Sequence, residues 1–388
     1  MEWNHQPAQY VGRPVKQFVL VFILTILVLI SLFCKIPAAL YPNHIYGVIM
    51  DTRINPDGSI WILTDDSFRF YAKTRSLSYT SSGLHRIFCQ TDLYLYNPVE
   101  KRVLKKIVTK LDDFPRKCSL AEENGHLWQI FETGDMSKMI RVFDASSGDP
   151  LLDTNQFLAG HNELKQGIAA INYKDQQKLI ELETKDARKF IYLLDDHSLI
   201  PDTQEAVNKN LQKHYAELGR TNIFAFMNED SNNSSRKMLY RVSGEAAKLS
   251  KETLLQNLRI DNLDTGYLTG EDFEYSRLTP EAVYLEPILI YQDNDLVVFL
   301  HQDQIGADAR RMLTCVNSEG IRKWTVPPDQ LFPELMLKKS NAFSDKFFMQ
   351  DNVKGEKAGK TFVLQVRDCG LEGFDIDSGQ KLWQLKIQ

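Results

Sequence analysis

GFDIDSGQKLWQL, residues 373–385, is the stretch from which the fold can be read. An alternating apolar run delivers Asp375 to a turn, Gly379 follows four residues later, and Trp383 four residues after that. Each residue type has a physical reason to stand there. An Asp side chain accepts hydrogen bonds from backbone N–H groups just ahead of it, which tightens a turn. Glycine supplies the positive φ that such turns need. A Trp on the returning strand offers a large apolar face to whatever packs beside the sheet. The same grammar recurs upstream. TCVNSEGIRKWTV, residues 314–326, keeps the four-residue step from Gly320 to Trp324. RVFDASSGDPLLDT, residues 141–154, keeps Asp144 and Gly148 and places Leu152 where the others have Trp. LYLYNPVEKRVLKKI, residues 93–107, is a worn copy with Asn97 in the Asp position and no glycine.

Outward from these segments, the chain beyond Asn43 is a series of short runs of branched and aromatic residues bounded by Gly, Asp, Asn and Ser. Ile60–Leu63, Ile140–Phe143, Phe190–Leu194, Ile223–Met227, Leu296–Leu300 and Phe362–Val366 are examples. Such runs read as strands, and many of them at even spacing predict an all-β body. A hairpin unit of this kind cannot bury both of its faces alone, so neighbouring units must stack. The pattern resembles the PQQ-like, or quinoprotein-like, β-propeller repeat, whose blades end in a form like A-x-D-x-x-T/S-G-x-x-x-W. Asp375–Trp383 carries nearly all of that motif, and Gly320 with Trp324 carries its end. The resemblance implies a single propeller over residues 44–388, its blades near 45–76, 85–111, 117–155, 166–201, 220–246, 284–326 and 341–388. That is about seven blades of roughly 49 residues, with six or eight as neighbouring counts.

Two segments break the strand pattern. DTQEAVNKNLQKHYAELG, residues 202–219, starts like a capping box and carries Val207, Leu211, Tyr215 and Leu218 as one apolar stripe, which predicts an amphipathic helical insertion. Residues 250–258 read as a shorter helix. MNEDSNNSSR, residues 227–236, reads as a polar loop tip, and GEKAG, residues 355–359, as a hairpin tip.

The N-terminal part has a different character. FVLVFILTILVLISLF, residues 18–33, is apolar but for Thr25 and Ser31, and after Lys35 the apolar character resumes to Leu40. A tilted helix needs roughly 17–25 residues to span a bilayer, which 18–40 supplies if Lys35 reaches the interface. The expectation is an uncleaved anchor at 18–40; a cleaved signal peptide and lipidation at Cys34 are the alternatives. Arg13 and Lys16 before the span place residues 1–17 in the cytoplasm and the body in the periplasm or outside the cell.

The whole chain has 388 residues, 46 Lys plus Arg, and 51 Asp plus Glu, a net charge of −5. Without residues 1–35 the balance is 43 to 50, or −7. No basic excess points to nucleic acid. With 43% hydrophobic and 25% charged residues, the chain is neither disordered nor a polytopic membrane protein.

Chemistry-bearing motifs are few. Some members of the PQQ-like group are quinone-dependent dehydrogenases with an adjacent cysteine pair and a calcium-binding acidic cluster; this chain has neither, so no quinone cofactor is expected. No H-E-x-x-H, EF-hand, P-loop, G-x-S-x-G or dinucleotide motif occurs. His126, His161, His197 and His301 are scattered, and no metal site is expected from their spacing. Asp65–Asp66, Asp112–Asp113, Asp195–Asp196 and Asp293–Asp295 read as turn formers. Cys89, Cys118, Cys315 and Cys369 allow two disulfides, with Cys89–Cys118 and Cys315–Cys369 the simplest pairs and buried thiols the alternative. The expected function is a non-enzymatic envelope scaffold that binds a protein partner. The alternative is an extracytoplasmic sensor or enzyme with a small-ligand site in a central channel.

Overall fold

The computed structural model describes residues 22–25, 44–75, 80–174, 178–203, 222–230, 233–243, 274–306, 309–336, 352–367 and 369–387. Between Val48 and Lys386 they form five sheets. The first contains β1 (Val48–Ile54), β2 (Ile60–Asp65), β4 (Thr80–Asn97) and β5 (Arg102–Leu111), with β3 (Phe68–Arg75) paired to the start of β4. The second is a meander of β6 (Pro115–Glu123), β7 (His126–Thr133), β8 (Lys138–Asp144) and β9 (Pro150–Leu152). The third is a like meander of β10 (Ile168–Lys174), β11 (Leu179–Thr184), β12 (Lys189–Leu193) and β13 (Leu199–Pro201).

The fourth holds β14 (Asn222–Asp230), β15 (Asn233–Ser243), β16 (Glu274–Arg277), β17 (Tyr284–Gln292), β18 (Leu296–Gln302), β19 (Arg311–Asn317) and β20 (Arg322–Val326). Within it, the ladder pairs Arg236↔Leu285 and Lys237↔Tyr284 join β14–β16 to the meander β17–β20. The fifth sheet is the meander β21 (Val353–Ala358), β22 (Thr361–Val366), β23 (Gly370–Asp375) and β24 (Lys381–Lys386). The strand pairs are antiparallel, as for β6–β7, β11–β12 and β22–β23.

Burial explains the strand sequences. Middle strands lie between two neighbouring sheets, so β2 (IWILTD) and β18 (LVVFLHQ) are buried along their whole length. The edge strand β5 alternates exposed and sheltered residues, with Lys106 and Lys110 on the open side, where charge guards a free edge. Four pairs of sheets pack face to face among the described residues. Trp61, Leu63 and Leu93 of the first meet Leu120, Leu127 and Phe143 of the second. Trp128, Ile130 and Val142 of the second meet Ile171, Ile180 and Phe190 of the third, with Phe157 of helix α1 (Thr154–Gly160) in the same core. That helix starts at a reciprocal capping box between Asp153 and Gln156. Phe224 and Leu239 of β14–β15 pack on Val297 and Phe299, while Leu300, Leu313 and Trp324 pack on Phe362, Leu364 and Phe374 of the fifth sheet. The last contact joins the two ends of the chain: Ile49, Ile60 and Tyr94 of the first sheet pack on Val363, Leu371 and Leu385 of the fifth.

Several expectations are corrected. Segments 45–76 and 85–111 form one sheet, because the long β4 pairs with β3 through Arg75↔Thr80 and then with β2 through Ile60↔Tyr96. Most of 227–236 is strand, with β14 and β15 paired out to Asp230↔Asn233. GEKAG is mostly strand as well: Gly355 to Ala358 lie in β21, and the tip is Gly359 and Lys360. Of the cysteines, Cys89 and Cys315 lie inside the sheets, while Cys118 and Cys369 are half-buried.

Of the apolar segment 18–40, only Phe22 to Thr25 are described, and they are helical. Among the described residues no helix is long and apolar enough to cross a membrane. The helical insertion at 202–219, apart from Asp202 and Thr203, and the helix at 250–258 lie outside the described residues, as do residues 1–17.

Candidate functional site

The motif residues meet at seams between sheets. In the fifth sheet Asp375 Oδ1 accepts from the N–H groups of Asp377 (3.1 Å) and Ser378 (2.8 Å) and from the Ser378 hydroxyl (2.7 Å). Gly379 closes the turn at φ +70°, its N–H donating to Asp375 O at 2.8 Å. Trp324, from the neighbouring sheet, lies across this turn. Its Nε1–H donates to Ile376 O at 2.8 Å, and a Cβ on Gly379 would stand 2.6 Å from the indole Cγ. The glycine therefore serves both the turn and the docking of the indole.

Asp144 and Gly148 build the same turn in the second sheet, with the Ser146 and Ser147 N–H groups on Asp144 Oδ1 and Gly148 at φ +69°. The Ser146 hydroxyl, 2.6 Å from Asp144 Oδ1, and then the Ser147 N–H pull the Asp144 carboxyl down to about 2. The indole docked here is Trp61, whose Nε1–H donates to Ala145 O at 2.7 Å. Asn317 and Gly320 form a shorter version, in which Asn317 Oδ1 accepts from Glu319 and Ile321. In the worn copy Lys101 takes the glycine position at φ +54°, and Lys105 reaches Ser147 O (2.6 Å) and Asp149 (2.9 Å) on the next turn. Trp383 is half-buried and covers Gly373, its partner across β23–β24. Trp61 escaped the motif reading, although DGSIW (57–61) and NGHLW (124–128) share a Gly-to-Trp spacing that marks it.

A second gathering of residues lies where the first strands of four sheets converge. A register shift between Ile49 and Asp51 bends β1 against β2. Asp51 is 6% exposed and joins three sheets. Its Oδ2 accepts from the Leu120 N–H of β6 at 2.7 Å, and its Oδ1 accepts from Lys354 Nζ of β21 at 2.7 Å and from the Thr52 N–H at 2.9 Å. Thr52 Oγ1 donates to Gln365 Oε1 of β22 at 2.9 Å, and the Ile54 N–H donates to Glu356 Oε1 at 3.2 Å. Arg53, also buried, donates through Nη1 to Thr52 O at 2.7 Å, and its guanidinium stands 5.9 Å from the centre of the Tyr173 ring of β10.

Beside this cluster, Cys118 on β6 has its thiol pushed up by burial and by the carboxylates of Asp65 and Asp51, which keeps it protonated and a poor nucleophile. A carboxylate with donors on both oxygens is a fixed anion suited to holding strands in place. Among the described residues, no group of three or more His, Cys, Asp and Glu is placed to hold a metal ion.

Three of the four histidines singled out in the sequence come together between the second and third sheets. The His126 and His197 rings lie 5.3 Å apart, and His161 packs on Tyr192 at 5.4 Å. His301 is separate and buried in the fourth sheet, bonded to Thr314 Oγ1 at 2.9 Å and Gln302 O at 3.1 Å. Of the acidic groups, Asp293 Oδ1 accepts from the Asp295 and Leu296 N–H groups and Asp195 Oδ1 from the Asp196 N–H, while Asp65 ends strand β2.

No protein-family model and no curated protein matches the chain. Among solved structures, it is similar to an uncharacterised protein of Listeria monocytogenes at 9% identity and a TM-score of 0.31, over 88% of this chain and 82% of that one. It is similar to a variant of the AtxE2 isopeptidase with a bound astexin at 9% identity and a TM-score of 0.39, over 89% of this chain and 53% of that one. A computationally designed protein, Ika8, gives 10% identity and a TM-score of 0.24, over 89% of both chains. At these scores the likenesses bear on no property of this chain.

Proposed function

We propose that the chain is a β-propeller of the PQQ-like type, held in the plasma (inner) membrane by residues 18–40 with its body outside the cytoplasm, and that it works as a protein-binding or assembly scaffold of the cell envelope. The observation that carries this reading is the order of packed faces: the first sheet lies against the second, the second against the third, the fourth against the fifth, and the fifth against the first. A ring of that kind removes free faces and presents turns on two rims. In that ring β14–β16 counts as one blade and β17–β20 as the next, which gives six among the described residues. The bonds of Asp51 to Leu120 and Lys354 support a structural centre that holds blades together while the rims meet the partner.

The convergence of Asp51, Arg53, Lys354 and Glu356 from two sheets also supports a second reading, a small-ligand sensor or enzyme with its site on the axis. Crosslinking of the full chain in intact membranes separates the two. The scaffold reading expects one envelope protein captured reproducibly and unaffected by Lys354→Met. No captured protein, together with a co-purifying small molecule lost in Lys354→Met, overturns it. A reporter fused after Gln388 tests the topology: activity in the cytoplasm contradicts the placement of the body.

A further inference from the structure

Strand β5 (Arg102–Leu111) closes the β2–β4–β5 side of its sheet with 10 residues, whereas the last strands of the four other meanders, β9, β13, β20 and β24, have 3, 3, 5 and 6. At about 3.3 Å per residue it offers an edge roughly 30 Å long. One side of it pairs with β4, from Cys89↔Leu111 to Asn97↔Arg102, and among the described residues no strand pairs with its other side. A long row of unpaired backbone N–H and C=O groups is a template for a further strand unless something blocks it.

The irregularity that blunts this edge is confined to one end. Leu95 faces Lys105 and Tyr96 faces Val103, so Leu104 is an extra residue that bends the strand. From Lys105 to Leu111 the pairing is regular and no proline interrupts it. Alternate residues of this stretch lie on opposite faces. Lys106, Val108 and Lys110 share one face and are exposed, Val108 at 47%. The other face is occupied: Ile107 packs in the core shared with the second sheet, Thr109 bonds to Arg141, and Lys105 is bound to Ser147 O and Asp149.

The charge along the strand has one sign. Lys101, Arg102, Lys105, Lys106 and Lys110 lie within residues 101–110 with no acidic residue among them, and Asp112 and Asp113 follow only after the strand has ended. Lys106 is anchored by the fully buried Asp92 at 2.7 Å and stands 4.9 Å from the centre of the Tyr94 ring, with its side chain still part-exposed. Like charges placed directly opposite destabilise a strand pair, so the lysines keep a second copy of β5 away. Carboxylates at the same spacing reverse the sign of that contribution.

The geometry points to β5, from Lys105 to Leu111, as a docking edge for an extended acidic segment of the partner protein, which adds to the first sheet as a further strand. Backbone pairing supplies the attachment, and the side chains of alternate residues supply the selection. The segment carries Asp or Glu at two positions four residues apart, opposite Lys106 and Lys110, and a branched apolar residue midway, opposite Val108. This gives the scaffold reading its partner chemistry and rests on that reading.

The test uses the full chain and a fluorescein-labelled peptide, Thr-Glu-Thr-Val-Thr-Glu-Thr, capped at both ends. Fluorescence anisotropy is expected to show saturable binding that weakens with salt, and amide exchange in β5 to slow at least tenfold at saturation. Lys110→Glu, a substitution at an exposed position, should weaken this peptide about fivefold and tighten the peptide with Lys in place of both Glu residues. N-methylation of alternate backbone nitrogens, in either phase, should abolish binding. Equal binding of the methylated peptides, protection that spares β5, or indifference to Lys110→Glu overturns the docking edge. Adhesion to phosphatidylglycerol vesicles with no binding of the peptide overturns it too. If the peptide fails while crosslinking in intact membranes still captures one envelope protein, the edge is overturned and the scaffold reading stands. Protection of β5 by the peptide with no captured protein supports the edge and counts against the scaffold reading.

Discussion

Gly379 shows how one residue serves two sheets. It holds a left-handed turn, and it also lets the Trp324 indole approach to where a side chain would stand. Trp324→Phe keeps most of the packing and removes the bond to Ile376 O, an expected loss of about 1 kcal/mol in urea unfolding. Gly379→Ala adds strain and overlap together and should cost roughly 2–3 kcal/mol, more than the Trp substitution. The reverse order would mean that the turn, and not the docked indole, yields. At Asp144 the test is a titration. Its folded pKa lies below the ordinary aspartate value, so its contribution to stability is complete above that ordinary value. The contribution is lost as pH falls through about 2, and carboxyl NMR should place the Asp144 midpoint there; a midpoint near 4 contradicts the bonds from Ser146 and Ser147.

Among the elements, the hairpins were legible in the sequence because their chemistry is local: Asp375, Gly379 and their hydrogen bonds lie within a few residues of one another. Strand grouping was less legible. Nothing in the composition of Thr80–Asn97 announces that one strand serves β3 and then β2, since register is decided by partners brought from elsewhere. The edge hairpin β4–β5 carries its own prediction. Lys101 holds a positive φ that glycine adopts without strain, so Lys101→Gly should raise stability by a few tenths to about 1 kcal/mol in thermal unfolding. A fall would mean that the lysine side chain contributes contacts that outweigh its backbone strain. In the third-sheet turn His197 also holds a positive φ, and its ring lies against the Trp128 indole.

For the molecule as a whole, the decisive contacts join residues far apart in the chain, which is why Asp51 and Lys354 stood out in no motif. Asp51→Ala removes the acceptor of the Leu120 N–H and one contact of Lys354 and should cost roughly 2–3 kcal/mol, while Asp51→Asn, which keeps an acceptor oxygen, should cost less. The histidines add an acid-sensitive term. Burial lowers His161 and His301, so the stability they contribute is complete above the ordinary histidine range and declines as pH falls through their folded pKa values. Unfolding followed from pH 8 to 5 should show that decline, reduced in His301→Gln relative to the loss that substitution causes at pH 8. The central claim is that the chain closes on itself, the first sheet locked to the last. Thr52 Oγ1 and Gln365 Oε1 meet at 2.9 Å across 313 residues, so the direct measurement is oxidation of the pair Thr52→Cys and Gln365→Cys, read as a mobility shift on a non-reducing gel. A rapid intramolecular disulfide, absent from either single variant and reversed by reductant, is the predicted result. No crosslink, or crosslinked dimers alone, would contradict the packing of the first sheet on the fifth.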